Sequence, residues 1–370
     1  MKTDSLSRVS VKRAYNFSAG PAMLPEPVMQ KVADEFLSYN HLGYSIAETS
    51  HRSEVFLEVL ADTKRRLKAL LNLDNSYHII FLHGGATSDF YRIPLNFLYK
   101  KDHCADYILT GHWSTKAYNA ARTIHPVHIA ASSEHNQFSS IPEPATLNLN
   151  PNSRYLYLCS NNTLFGTQFQ TYPKTENIPL IGDFTSDIFS RDIDYNQFSM
   201  IFAATQKNLA PPGCSVIAIK DDFLAKCNPQ AIALYSYKEA VAKDSLFNTP
   251  PTFNIYFVNE VLKWIEAEGG VTVIEKRNRT KAQLLYTCLD NSDLYKPVAH
   301  KAYRSIMNVT WKLPTAELTQ KFIESAANNN IVAIKGHRST GGIRVSIYNA
   351  MKIEYVSKLV EFMVDFEKKH

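Results

Sequence analysis

What this sequence is short of narrows the choices first. It has five cysteines, Cys104, Cys159, Cys214, Cys227 and Cys288, at wide spacings and with no Cys-x-x-Cys pair. An odd, scattered set excludes a disulfide framework and a structural zinc site, and no metal is expected. There is no stretch of about 18 apolar residues, and the opening MKTDSLSRVSVKRAYNF lacks the apolar core of a secretory signal. A cytoplasmic protein with no membrane attachment is expected. Charge of one sign is scarce too. The 40 basic and 35 acidic side chains leave a net +5 with His neutral, and no basic run exceeds Lys64-Arg65-Arg66, which falls on a helical pattern. No nucleic-acid partner is expected, since a basic stripe is its usual footprint. The small cationic surplus suits a site that collects anions.

What is present is a chain of 370 residues, 45% hydrophobic, long enough for one large core and a smaller second one. Tyr77–Leu82, Ala105–Leu109, Tyr155–Cys159, Ile178–Ile181, Met200–Ala204 and Cys214–Ile219 are near-continuous apolar runs. Such runs suit strands covered on both faces, as in a mostly parallel sheet. Helical patterns lie between them. Phe56, Val59, Leu60, Thr63, Leu67, Leu70 and Leu71 make one stripe, with Asp62, Lys64, Arg65, Arg66 and Lys68 mostly off it. The expected fold class is α/β, a mostly parallel central sheet sandwiched by helices, with a smaller α+β C-terminal domain. In the latter, strands are predicted at Ile306–Leu313, Ile331–Ile334 and Ile343–Ile347, and helices at Ala316–Asn328 and around Ile353, Val356, Val360, Met363 and Phe366. The large domain is placed at 26–277 and the small one at 1–25 and 278–370, bridged by a helix over Val271–Leu289.

Four segments carry candidate chemistry. In IFAATQKNLAPPG (Ile201–Gly213) a lysine, Lys207, follows a buried strand and a Pro-Pro-Gly turn stops the chain. It is either a surface lysine on a strand–loop turn or an amine poised to form a Schiff base with an aldehyde cofactor. In PLIGDFTS (Pro179–Ser186), Asp183 ends an apolar run. It either caps a loop or faces the pyridine nitrogen of pyridoxal phosphate (PLP), which needs a carboxylate there; neighbouring strand ends would bring the two together. HGGATS (His83–Ser88) sits between a strand and a helical pattern beginning near Phe90. Its glycines allow close backbone approach and a helix N-terminus favours phosphate. It is neither a dinucleotide fingerprint nor a Walker loop. Trp113, after another strand, either packs or stacks on a flat ring, and Thr163 either caps a turn or meets the cofactor. Last, His51-Arg52, His337-Arg338 and Arg344 are either surface cations or grips for carboxylate and phosphate.

Taken together, the segments YNFSAGPAMLP (Tyr15–Pro25), SHRS (Ser50–Ser53), HGGATS, CSNNTLFGTQF, GDFTSDIFSRDID, ATQKNLAPPG, NTPPTFNIY (Asn248–Tyr256) and KGHRSTGGIRVSIYNAM (Lys335–Met351) resemble the phosphoserine aminotransferases, class V enzymes of PLP fold type I. The likeness runs from about Tyr15 to His370. It implies transamination between L-glutamate and 3-phosphonooxypyruvate, giving O-phospho-L-serine and 2-oxoglutarate in serine biosynthesis, and it permits a related phosphorylated hydroxythreonine in pyridoxine biosynthesis. It implies that Lys207 forms the Schiff base, Asp183 pairs with the ring nitrogen and Trp113 stacks on the ring. Ala86, Thr87, Gln206 and Thr163 hold the phosphate and phenolic sides. Asn248 and Thr249 reach a neighbouring subunit's cofactor, so a homodimer is implied. Arg344 binds the substrate α-carboxylate, and His51, Arg52, His337 and Arg338 bind the distal anion, with His51 and Arg52 donated across the dimer. The sequence departs from the family's pattern at Ala204-Thr205 and Ala210, at Thr87, where some members carry arginine, and at Asp89 and Tyr91.

Rival readings are testable in the residues. A cysteine desulfurase needs a mobile nucleophilic cysteine on an exposed loop, and Cys159 and Cys214 lie on apolar runs. An alanine–glyoxylate aminotransferase would not need two His-Arg pairs. A non-catalytic PLP-fold protein should have lost Lys207 or Asp183.

Overall fold

The structure is a computed structural model that describes residues 13–175 and 177–370. Residues 1–12, which open the small domain placed from sequence, lie outside the described residues.

Seven strands form the central sheet: β1 (Tyr77–Gly84), β2 (Cys104–Leu109), β3 (His128–Ser132), β4 (Ser153–Cys159), β5 (Leu180–Asp183), β6 (Met200–Ala204) and β7 (Gly213–Lys220). Their order is β1-β7-β6-β5-β4-β2-β3. β7 is antiparallel to both its neighbours and the other pairings are parallel. The parallel strands need crossovers, and helices supply several of them. β6 and β7 are joined only by the Lys207 loop, which is why that pair turns back on itself. All five residues of β6 and all four of β5 are buried, as a sheet covered on both faces requires.

Four helices frame the large domain around the site: α1 (Glu54–Leu70), α2 (Ala86–Phe97), α3 (His112–Arg122) and α4 (Thr252–Ala267). α1 buries Phe56, Val59, Leu60, Thr63 and Leu67, and Ser53 caps it by accepting the Phe56 N–H at 3.4 Å. Its basic run is spent on ion pairs with Asp244, Asp62 and Glu266. α4 packs between α1 and the sheet and buries Ile255, Val258, Val261, Leu262 and Ile265.

The long helix α5 (Val271–Asp290) leads to a second sheet of β8 (Lys296–Pro297), β9 (Asn308–Lys312) and β10 (Ile343–Ser346), all antiparallel. Helices α6 (Ala316–Asn328) and α7 (Ile353–Glu367) cover it. Trp311, Phe322, Val345 and Met363 centre this separate core, and Phe17 and Met23 from the chain's beginning join it. Tyr15–Asn16 pairs parallel with Ile331–Val332. Several expected boundaries shift, among them the strand expected at Ile306–Leu313, which runs Asn308–Lys312. The strand predicted at Ile178–Ile181 runs Leu180–Asp183, because Pro179 has no N–H for the ladder. The strand predicted at Ile331–Ile334 pairs only over Ile331–Val332, because Ala333 turns to positive φ. The helix expected near Phe90 begins at Ala86. Among the described residues, no helix is long and apolar enough to cross a membrane.

Candidate active site

The carboxyl ends of β5 and β6 lie side by side, with Asp183 opposite Phe202 in the register. Asp183 is the last residue of β5 and Lys207 lies three residues beyond β6. Both line a cavity of about 490 Å³ at that edge of the sheet, the usual position for a ligand in an α/β fold. Both are buried, at 3% and 8% exposure. Asp183 accepts the Thr185 N–H at 2.9 Å on Oδ1 and the Tyr157 hydroxyl at 3.3 Å on Oδ2. Burial pushes its carboxyl above the ordinary range, against the Thr185 hydrogen bonds and the charge of Lys207. Burial also pulls the Lys207 amine down to about 8, with Asp183 opposing. The pair is thus a buried acid and a readily deprotonated amine facing one space. The Lys207 stem runs along Gly20, where an added Cβ would sit 3.4 Å from Lys207 Cγ and φ is +141°.

The expected phosphate cup forms because helix α2 starts four residues early. Gly85 is its N-cap, so Ala86 and Thr87 occupy the first turn, where backbone N–H groups lack helical partners. Gly84 makes the turn possible: its φ is +107°, and a Cβ there would lie 2.2 Å from Ser88 Oγ. Asp89, atypical by sequence, is fully buried and paired with Arg92, whose Nη2 donates to the His83 carbonyl at 3.3 Å. That pair buttresses the cup from behind. Trp113 opens α3 and donates its indole N–H to Thr163 Oγ1 at 2.8 Å, which fixes the ring's tilt at the cavity wall. Lys207 Nζ lies 6.0 Å from the centre of that ring.

Arg344 enters from β10. Its Nε is buried without a hydrogen-bond partner, a donor left open for a carboxylate. His337, from the neighbouring loop, also lines the cavity, and its ring lies 5.7 Å from that of His112. Of the expected residues, Ala86, Thr87, Trp113, Thr163, Asp183, Gln206, Lys207, His337 and Arg344 line this one space. His51, Arg52, Asn248, Thr249 and Arg338 are not among its lining residues. His51 and Arg52 occupy the turn before α1, and Asn248, Thr249 and Arg338 are exposed. The Thr249 carbonyl is 2.7 Å from His83 Nε2, which sets that segment beside the strand that ends in the cup.

Sequence reasoning missed several groups. Tyr157 and Thr185 hold Asp183, but only strand register brings Tyr157 to it. Lys116 places Nζ 3.3 Å from Thr87 Oγ1 and 5.4 Å from the Trp113 ring; its signal was the three-residue helical spacing from Trp113. Cys159 lines the cavity as well, but burial holds its thiol well above the usual range, unlike the exposed thiolate that a desulfurase needs.

These donors fit PLP. A buried carboxylate bonded only by neutral groups leaves room for a ring N–H, the amine suits an aldehyde, the α2 N-terminus suits a phosphate and the indole suits a flat ring. The comparisons with known proteins agree. The sequence profile of the family described as Aminotransferase class-V matches residues 14–359. The phosphoserine aminotransferase of Niallia circulans is 44% identical over 358 residues, covering 96% of this chain and 99% of that protein. The solved phosphoserine aminotransferase of Bacillus circulans subsp. alkalophilus superposes with a TM-score of 0.95 at 43% identity, over 97% of this chain and 99% of the other. The PLP-bound phosphoserine aminotransferase of Trichomonas vaginalis gives 0.90 at 33% identity, over 95% and 100%.

Proposed function

The chain belongs to the phosphoserine aminotransferase family of class-V aminotransferases, and we propose that its Lys207–Asp183 cavity moves an amino group from L-glutamate to 3-phosphonooxypyruvate. The products are 2-oxoglutarate and O-phospho-L-serine, and the cofactor is PLP. The carrying observation is the burial of an amine and a carboxylate in one cavity that is also lined by Arg344, whose Nε has no hydrogen-bond partner.

When bound, PLP supplies an electron sink for the bond broken at the substrate Cα. Asp183 holds the proton at the ring nitrogen, and Tyr157 and Thr185 hold Asp183. Lys207 Nζ, its pKa already lowered by burial, would take the proton from the substrate Cα and deliver it to the former aldehyde carbon of the cofactor, across the shared nitrogen. Arg344 orients the α-carboxylate, so that the Cα–H bond faces Lys207. Trp113 covers one face of the site and excludes water from it.

The distal anion poses a charge problem. A phosphate monoester carries roughly −1.5 to −2 at neutral pH, whereas the glutamate side chain carries −1. His337 and Arg338, with His51 and Arg52 of a second subunit, serve both, because guanidinium and ring N–H donors bind carboxylate and phosphate oxygens alike. A homodimer is supported by the position of His51, Arg52, Asn248 and Thr249 off the cavity of their own subunit. It is also supported by exposed apolar side chains on α2, Tyr91 and Leu95, and beside it, Ile232 and Leu234, with Ile232 70% exposed. The proposed division into 26–277 and the remaining residues is supported by a separate core that gathers Phe17 and Met23 with Ala282 and later residues. A cytoplasmic setting is supported by five unpaired cysteines.

The test is O-phospho-L-serine formation from glutamate and 3-phosphonooxypyruvate, with Lys207→Ala alongside. Turnover by the parent chain that disappears in the variant is expected. Equal product with both proteins would overturn the proposal.

A further inference from the structure

Arg344 lies on the C-terminal sheet, whereas Lys207 lies on the central one, so something must fix the distance between them. β10 pairs with β9, with Thr310 opposite Arg344 and Asn308 opposite Ser346, and on its other side the Arg344 N–H donates to the Ile334 carbonyl at 2.9 Å. Asn308 is fully buried. Its Oδ1 accepts from Asn161 Nδ2 at 2.7 Å, and its Nδ2 donates to Ser346 Oγ at 2.8 Å and to the Tyr348 hydroxyl at 3.2 Å. The one side chain thus spends all its donors and an acceptor in three directions.

Each direction leads to a part of the site. Asn161 is on the cavity wall, and its Nδ2 also donates to Ser186 Oγ at 2.9 Å, three residues from Asp183. Ser346 is two residues from Arg344 on the same strand. The Tyr348 hydroxyl donates to the Ala19 carbonyl at 2.9 Å, and the next residue, Gly20, packs on the Lys207 stem. A second tie follows at the end of β10: the Asn349 N–H donates to Asn208 Oδ1 at 3.1 Å, and Asn208 adjoins Lys207 in the chain. A buried polar side chain whose donors are all paired favours one arrangement, because alternatives strand a buried donor or acceptor.

We propose that Asn308 is a positioning residue for transamination: it holds the Arg344 strand against the Lys207 wall, so that the α-carboxylate shared by both substrates binds at the correct distance from the reacting amine. This rests on Arg344 being the group that binds the α-carboxylate. Because the α-carboxylate is common to donor and acceptor, loss of Asn308 weakens both alike and leaves the distal pocket untouched. Small displacements of a binding group cost large factors.

The experiment uses PLP-loaded Asn308→Ala, Tyr348→Phe and Arg344→Ala enzymes. The KM values for glutamate and 3-phosphonooxypyruvate, inhibition by inorganic phosphate and the cofactor absorbance spectrum are measured. In Asn308→Ala, both KM values should rise by about tenfold or more and by the same factor, with the phosphate inhibition constant and the spectrum unchanged. Tyr348→Phe, which removes one hydroxyl, should move both KM values the same way by a few-fold; it decides the matter if Asn308→Ala does not fold. Unchanged KM values in a folded variant beside raised ones in Arg344→Ala overturn the inference alone. A parallel loss of phosphate inhibition also overturns it, since that marks general loosening. If Arg344→Ala itself leaves both KM values unaltered, the reading of Arg344 fails and the inference falls with it.

Discussion

Lys281 offers a test of the physics that makes Lys207 reactive, at a place where no chemistry intervenes. It sits on α5 with no exposed surface, and its Nζ donates to the carbonyls of Ile347 at 3.0 Å and Tyr348 at 2.7 Å. A neutral amine has two N–H bonds, and two acceptors are what it meets. Burial, aided by the nearby charge of Arg277, pulls this amine from 10.5 down to about 7. Between pH 7 and 10.5 the unfolded chain keeps a proton that the native chain has released, so native stability rises with pH through that window. Below pH 7 both states are protonated and the cost of burying the charge is borne in full. At about 1.36 kcal/mol per pH unit the whole window amounts to about 5 kcal/mol, and the step from pH 7 to 9 to about 2 kcal/mol. Lys281→Met removes the dependence. It also leaves two carbonyls unpaired, at about 1–3 kcal/mol each, so a comparison at one pH decides nothing and the slope decides everything. Urea unfolding of both holoenzymes at pH 7, 8 and 9 should show the parent gaining on the variant by about 1 kcal/mol per unit. Parallel stability curves would refute the reasoning, for Lys281 and for the burial argument applied to Lys207.

Asp183→Ala strands a buried cationic ring, and losing one partner of such a pair typically costs about 3–5 kcal/mol; a fall in kcat of at least about a hundredfold is expected with cofactor still partly bound, and full activity would contradict it. Arg338→Ala should weaken 3-phosphonooxypyruvate more than glutamate in steady-state kinetics, because the doubly charged group loses more from one missing cation; equal losses would refute the shared distal pocket. Mixing Arg52→Ala subunits with Lys207→Ala subunits should restore part of the activity that each lacks alone, since one site of the mixed dimer is then whole. No recovery after subunit exchange would remove Arg52 from the partner's site.

The buried strands were legible because each is a short apolar run between turn residues, and Met200–Ala204 matches to the residue. β3 escaped notice: His128–Ser132 is half-exposed at the sheet edge and carries no apolar signature. α4 escaped for the opposite reason, because it is apolar nearly all round and shows no stripe. The reversal of β7 was hidden in the Lys207 loop, which the sequence marks as a turn without saying which way it leads. At the site, Lys207 and Asp183 stood out as charged residues at the ends of apolar strands. Tyr157 and Asn308 did not, although both are polar groups inside apolar strands; what they touch depends on register and on the meeting of two sheets, and neither is written locally.

The most direct measurement is borohydride reduction of the PLP-loaded enzyme, followed by digestion and mass analysis of the peptide that spans Ile201–Gly213. A single pyridoxyl phosphate increment on Lys207, lost when glutamate is added before the reductant, is the predicted result. An increment on any other lysine, or none while the enzyme still turns over, would contradict the central claim.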